Sequence, residues 1–154
     1  AYVHNGGGSI IGSLIKLESD NGADDAVKAV AKDLLLQITA SAPQFVAQAD
    51  VPASVIDAEK EVQLELVKKE NAESKKPKPE NVLEKIVEGR MRKFAEEICL
   101  LDQPFVKDPS ITVAKYVANA GKNIKVIEFA RLEKGEGIQK KEDDFAAEVA
   151  SMVK

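Results

Sequence analysis

Tryptophan is absent, aromatic residues make up 5% of the chain, and its 154 residues include one cysteine and one histidine. Each shortage excludes something. A core with so few rings must be filled by Val, Ile, Leu and Ala, as in helix-rich proteins. Cys99 has no cysteine to pair with inside the chain. Among apolar neighbours it reads as a small buried thiol, consistent with a reducing compartment. A histidine-based catalytic triad would have to use His4, and no cysteine or carboxylate cluster flanks it at metal-ligand spacing. It reads instead as a strand-end residue in a structural hydrogen bond. No apolar run approaches the roughly 20 residues that span a bilayer, and no charged-then-apolar leader precedes the first strand. The formal charge of −4 supplies no field that would draw phosphate backbones or anionic lipid. Neither a membrane nor direct nucleic-acid binding is expected, and no cofactor, metal or catalytic residue is assigned.

What is present suits one domain with room for an insertion, since a chain of this size buries roughly two-thirds of its unfolded surface. It opens at Ala1 in mid-pattern and without Met, which predicts a processed form or fragment with residues upstream. The runs AYVH (1–4) and IIGSLIKL (10–17) are strand-like. Between them, NGGGS tolerates the positive φ of a hairpin turn, so the two runs are expected to pair. From Asp24 to Ser41, Val27, Val30, Ala31, Leu34, Leu35 and Ile38 recur at helical spacing, and Pro43 marks the end.

A charged helix follows in the segment 49–74, with Asp50 as its expected cap, Pro52 in the first turn and a narrow stripe of Val55, Val62 and Leu66. The prolines of KKPKP (75–79) break it. Leu83, Val87, Phe94 and Ile98 then mark a second charged arm, and together the arms predict an antiparallel helical hairpin. Asp108-Pro109 is read as opening a short helix that carries Val113 and Val117 and closes at Gly121. Residues 123–138 are β-branched and aromatic enough for a strand, whose apolar phase slips between Val126 and Ile127 and so predicts a bulge or burial on both faces. A last helix, 142–153, puts Phe145, Val149, Met152 and Val153 on one face.

To bury its apolar face, the third strand must return to the first two. The expected fold is therefore α+β: a small three-stranded antiparallel sheet packed with helices, an inserted antiparallel helical hairpin in the manner of a coiled coil, and a C-terminal helix. Residues 1–52 and 99–141 would form the core, 53–98 the hairpin and 142–154 a C-terminal module. The segment Gln103-Pro104-Phe105-Val106 is where the second arm re-enters the core, with Phe105 and Val106 as plugs.

Three motifs carry a bland reading more readily than a chemical one. GGGS lacks the Lys-Ser/Thr of a phosphate loop and joins strand to strand, so it is a turn. Glu142-Asp143-Asp144 lacks the alternating ligands and central Gly of a calcium loop, and at a helix start it favours the positive end of the dipole. Lys75, Lys76 and Lys78 form a solvated tip that an acidic protein or a ribosome could touch.

The segments KPENVLEKIVEGRMRKFAEEICLLDQPFVKDP (78–109) and GEGIQKKEDDFAAEVA (135–150) resemble elongation factor Ts of bacteria and organelles. So do AYVHNGGGSIIGSLIKL and AKDLLLQITASAPQFV (31–46), in the family's order. The resemblance covers almost the whole chain. It implies guanine-nucleotide exchange on elongation factor Tu, in the bacterial cytoplasm, mitochondrial matrix or plastid stroma. It also implies that Ile11 and Gly12 match an Ile-Gly pair facing Tu, and that Phe145, Val149 and Met152 match a C-terminal helix packing on the Tu GTPase domain. The family's N-terminal three-helix module and its Thr-Asp-Phe-Val loop have no counterpart in these residues, and Ser9-Ile10 replaces a commonly basic position. Weak Tu binding and poor exchange by these residues alone are the expectation. The competing expectation is a non-exchanging assembly module used for a homodimer or for ribosome docking. An enzyme built on His4 is a distant third.

Overall fold

The computed structural model describes residues 1–20 and 22–137. The helix expected over 142–153, with Phe145, Val149 and Met152 and the acidic triplet 142–144, lies outside them. The elements are β1 (Tyr2–Gly6), β2 (Ser9–Glu18), α1 (Asp25–Ser41), a 3-10 turn (Gln48–Asp50), α2 (Ala53–Glu73), α3 (Glu80–Ile98), β3 (Pro104–Phe105), β4 (Asp108–Thr112), α4 (Val113–Ala120) and β5 (Lys125–Glu133). The main sheet is antiparallel in the order β1-β2-β5, so the strand near the end of the described chain does return to the first two.

Local chemistry explains these elements. Gly7 and Gly8, at φ 61° and 86°, make the two-residue turn that sets Gly6 opposite Ser9. Asp24 caps α1 by accepting from the Val27 N–H at 2.9 Å. Ala42, at φ 44°, closes the helix as its N–H returns to the Ile38 carbonyl. The phase slip in β5 is a bulge: Lys16 faces Glu128, the next β2 residue faces Val126, and Ile127 is skipped.

Val30, Leu34 and Ile38 of α1 meet Leu100, Phe105, Val113 and Val117 in one core cluster, flanked by Ile15, Leu17, Val126 and Phe129 from the sheet. Among the described residues, α1 and α4 therefore pack on the same side of the strands. The Phe105 and Tyr116 rings stack at 4.1 Å, and Tyr116 donates to Asp33 at 2.7 Å. Burial, with Asp33 adding, pushes the Tyr116 phenol up to about 12. Because the folded value lies above the unfolded value of about 10, this contribution to stability is complete below pH 10 and is lost as pH rises toward 12. Thermal melts from pH 9 to 12 should show a steeper decline for the parent than for Tyr116→Phe, and parallel declines would contradict this.

α2 and α3 pack antiparallel, with Arg90 donating to Glu70 at 2.7 Å and to Gln63 at 3.3 Å, and with Val67, Leu83 and Val87 in a small core of their own. Where this pair meets the rest of the chain, the backbone is zipped. Phe45 lies beside Cys99 in a parallel bridge, and Leu100 and Leu101 donate to the carbonyls of Phe45 and Val46. Two buried amides complete the junction. Gln37 donates to Ser41, Gln103 and the Pro104 carbonyl, each at 3.1 Å, and accepts from the Val106 N–H at 2.7 Å. Gln103 donates to the Glu97 carbonyl at 2.8 Å.

Several expectations are corrected. Val106 is exposed, and only Phe105 plugs the core. Asp108-Pro109 opens no helix: Asp108 accepts from the Ser110 N–H and hydroxyl, which holds its carboxyl below the usual range, and the segment is a strand paired with β3. Thr112 caps α4 instead, and Gly121 ends it as expected. Asp50 caps the 3-10 turn through the Ala47 N–H, leaving Pro52 at the start of α2. The stripe Val55, Val62 and Leu66 is not the seam, because Val62 and Leu66 are exposed and Val67 is buried.

Candidate functional site

Strand alternation assigns every side chain of β2 to a face. Ser13 is buried with its Oγ 2.8 Å from Thr39 Oγ1 of α1, and Ile15 and Leu17 pack on the main cluster, so this set faces the helices. Ile10, Gly12, Leu14 and Lys16 therefore face the other way. Pairing extends that outer face sideways: Val3 and Leu132 lie on either side of Gly12, and Ala130 lies beside Leu14.

The outer face is apolar and uncovered by any described residue. Val3 is 68% exposed, Leu132 69%, Leu14 54% and Ile10 39%. At one end it is bounded by the ion pair of Lys16 with Glu128 at 3.3 Å. Contiguous apolar surface rimmed by charge is the usual mark of a contact for another molecule.

Gly12 forms the floor between the Val3 and Leu132 walls. A Cβ added there meets nothing within 4 Å, and its φ lies outside the positive range, so neither packing nor backbone conformation among the described residues requires glycine. A glycine in a central strand weakens the strand unless another backbone must approach closely. Gly7 and Gly8 differ, since their turn demands them.

Ile11, paired with His4 and Glu133, points to the helix side, half-buried and outside the main cluster. The two sequence-predicted contacts in β2 thus lie on opposite faces, with Gly12 on the open one. Phe145, Val149 and Met152 lie outside the described residues. The sequence reading missed Val3, Ile10, Leu14 and Leu132. A signal was present: β2 is apolar on both faces, more than one helical layer can cover.

The remaining candidates are structural. His4 Nδ1 lies 3.3 Å from Tyr2 Oη on the exposed edge strand. Cys99 is fully buried, and burial pushes its thiol up, with Asp102 and Asp50 adding, so the reactive thiolate is disfavoured. At the far end of the hairpin, Asn71 binds both the N–H and the carbonyl of Lys78, leaving Lys75, Lys76 and Lys78 in solvent. Among the described residues no helix is long and apolar enough to cross a membrane.

The family model described as elongation factor TS matches residues 1–136. An elongation factor Ts of Carboxydothermus hydrogenoformans is 44% identical over 161 aligned positions, which cover 100% of this chain and 70% of the relative. The one from Heliobacterium modesticaldum is 41% identical, covering 99% of this chain and 71% of the relative. The one from Psychromonas ingrahamii is 46% identical, covering 98% and 46% respectively. The chain thus spans from about half to seven-tenths of the length of these bacterial relatives.

Proposed function

The chain belongs to the elongation factor Ts family, and on that premise we propose that it holds elongation factor Tu through the open face of its sheet and contributes to guanine-nucleotide exchange there. The observation that carries this reading is Gly12, a side-chain-free floor between exposed apolar walls that nothing inside the described chain requires. A Tu loop seated on Gly12 would bury Val3, Ile10, Leu14 and Leu132. Ile11 would meet the partner only where the partner wraps the strand to the helix side. Phe145, Val149 and Met152 are proposed as a second contact.

Exchange needs no covalent step from this chain. A factor that binds the nucleotide-free GTPase more tightly than the loaded one must weaken nucleotide binding by the same factor, since the coupling is reciprocal. In this reading residues 1–52 and 99–141 are the holding core, 53–98 an arm projecting from it and 142–154 a C-terminal module, acting in a bacterial cytoplasm or an organellar equivalent.

The reading is tested by binding and by release. Tu captured by residues 1–154 should stay captured in salt that screens the lysine tip, because apolar burial is insensitive to screening that weakens exposed charge contacts. Loss of capture at high salt would contradict the sheet-face contact. Residues 1–154 contain no Thr-Asp-Phe-Val sequence, so fluorescent-GDP release from Tu should accelerate only weakly, and full acceleration would overturn that division of labour. A second reading, an assembly module without exchange, is favoured by an apolar-floored furrow between α2 and α3, lined by Ile56, Leu64, Val87 and Met91.

A further inference from the structure

The chain leaves β5 at the rim of the open sheet face. The apolar centre of that face is Val3, Ile10, Leu14 and Leu132 around Gly12, with the Lys16 and Glu128 ion pair at one end. At the other end the Lys134 N–H donates to the Ile10 carbonyl at 2.9 Å, which brings the departing chain out beside Ile10 itself. Alternation from Leu132 puts Lys134 on the same open face. A tight turn follows. The Glu136 N–H returns to the Glu133 carbonyl at 3.0 Å, and Gly135 and Gly137 have φ of 90° and 75°, a backbone that bends the chain back toward the sheet rather than carrying it onward.

Residues 138–154 start from this point. Ile138 to Lys141 precede the helix expected over 142–153, whose Phe145, Val149, Met152 and Val153 share one face. A helix that short is marginal by itself in water and needs an apolar surface to lie on. The nearest one is the open face. A four-residue tether reaches about 13 Å when extended, more than the roughly 10 Å that separates packed layers. The helix would be about 18 Å long, and β2 from Ile10 to Lys16 runs about 20 Å. So short a tether also holds the segment at a high effective concentration over the face.

The charges suit the same direction. Glu142, Asp143 and Asp144 would begin the helix over Lys134, and Lys154 would follow its end over Glu128. We propose that in the free chain residues 142–153 lie along the open sheet face, setting Phe145, Val149 and Met152 against Val3, Leu14 and Leu132, and that Tu must displace them to reach Gly12. The docking stands on the sheet and the segment alone, whereas the displacement rests on the reading of this face as the Tu contact. Displacement releases the same three side chains for the second contact proposed above. Until then the segment lowers the apparent affinity for Tu in proportion to the fraction of chains whose face is uncovered.

Methyl NMR of residues 1–154 without Tu tests the docking. Nuclear Overhauser contacts should join the Phe145 ring to methyls of Val3, Leu14 and Leu132, and a soluble paramagnetic agent should broaden those methyls far less than Val62 of the arm. Phe145→Asp/Val149→Asp should abolish the contacts and open the methyls to the agent, while unmoved signals of Leu34, Ile38 and Val113 report an intact core. A parent without these contacts, its sheet methyls broadened as strongly as Val62, would overturn the proposal. Stopped-flow binding of nucleotide-free Tu tests the displacement. The double variant should associate several-fold faster than the parent, because the face is uncovered, and should also dissociate faster, because the second contact is lost. Overhauser contacts in the parent together with equal association rates would overturn the displacement and move the Tu contact off this face, leaving the docked segment in place.

Discussion

Replacing Gln37 with methionine is expected to lower the unfolding free energy by about 3 kcal/mol, a melting-temperature drop of roughly 6–12 °C for a domain of this size. The substitution keeps the volume and deletes only the amide. In the parent that amide is fully buried, accepts from the Val106 N–H at 2.7 Å, and donates to Gln103, Ser41 and the Pro104 carbonyl. Methionine removes a partner from the buried Gln103 Oε1 and from the part-buried Val106 N–H and Pro104 carbonyl, and each group left unsatisfied away from water costs about 1–3 kcal/mol. Gln103→Met should act through the same network, because Gln103 also ties the Glu97 carbonyl at the end of α3. The double variant should therefore lose less than the sum of the singles. Denaturant melts of the three variants measure this. A loss below about 1 kcal/mol for Gln37→Met would mean that water replaces the amide at no disadvantage.

Gly12→Val should separate folding from function. Its Cβ meets nothing within 4 Å and its backbone is not in the positive-φ region. A β-branched residue suits a central strand, on a propensity scale spanning about 1 kcal/mol, so stability should hold or rise. Binding to Tu should fall by about thirtyfold, the 2 kcal/mol scale of losing a central contact, because the isopropyl group fills the floor between Val3 and Leu132. Leu132→Ala should weaken binding without filling the floor. Calorimetry with Tu, paired with melts of the same samples, reads both quantities. Unchanged affinity for Gly12→Val would place the Tu contact elsewhere.

How far the fold could be read from the sequence depended on whether local chemistry or tertiary partners decided each element. α1 was legible because Asp24 and the spacing from Val27 to Ile38 determine cap and buried face together. The Gly7-Gly8 turn and the bulge at Ile127 were legible because positive φ and a broken alternation leave local traces. The α2 seam was not, because the side chains that Arg90 reaches from α3 are the polar Gln63 and Glu70, while the more apolar Val62 and Leu66 stay exposed. Asp108-Pro109 misled for a local reason: the same Asp that can cap a helix here closes a turn on Ser110. Of the candidate site, Gly12 was named from the family resemblance. Its walls required the β1-β2-β5 order, which brings Val3 and Leu132 together across 129 positions of sequence.

The central claim is that Tu covers the sheet face that no helix among the described residues covers. The direct measurement is a methyl-detected NMR titration of the chain, labelled at Ile, Leu and Val, with nucleotide-free Tu. The account predicts that the methyl signals of Val3, Ile10, Leu14 and Leu132 shift or broaden first, while those of Leu34, Ile38 and Val113 in the core and Val62 and Leu66 on the arm hold their positions. Shifts confined to the arm, with the four sheet methyls unmoved at saturation, would contradict it.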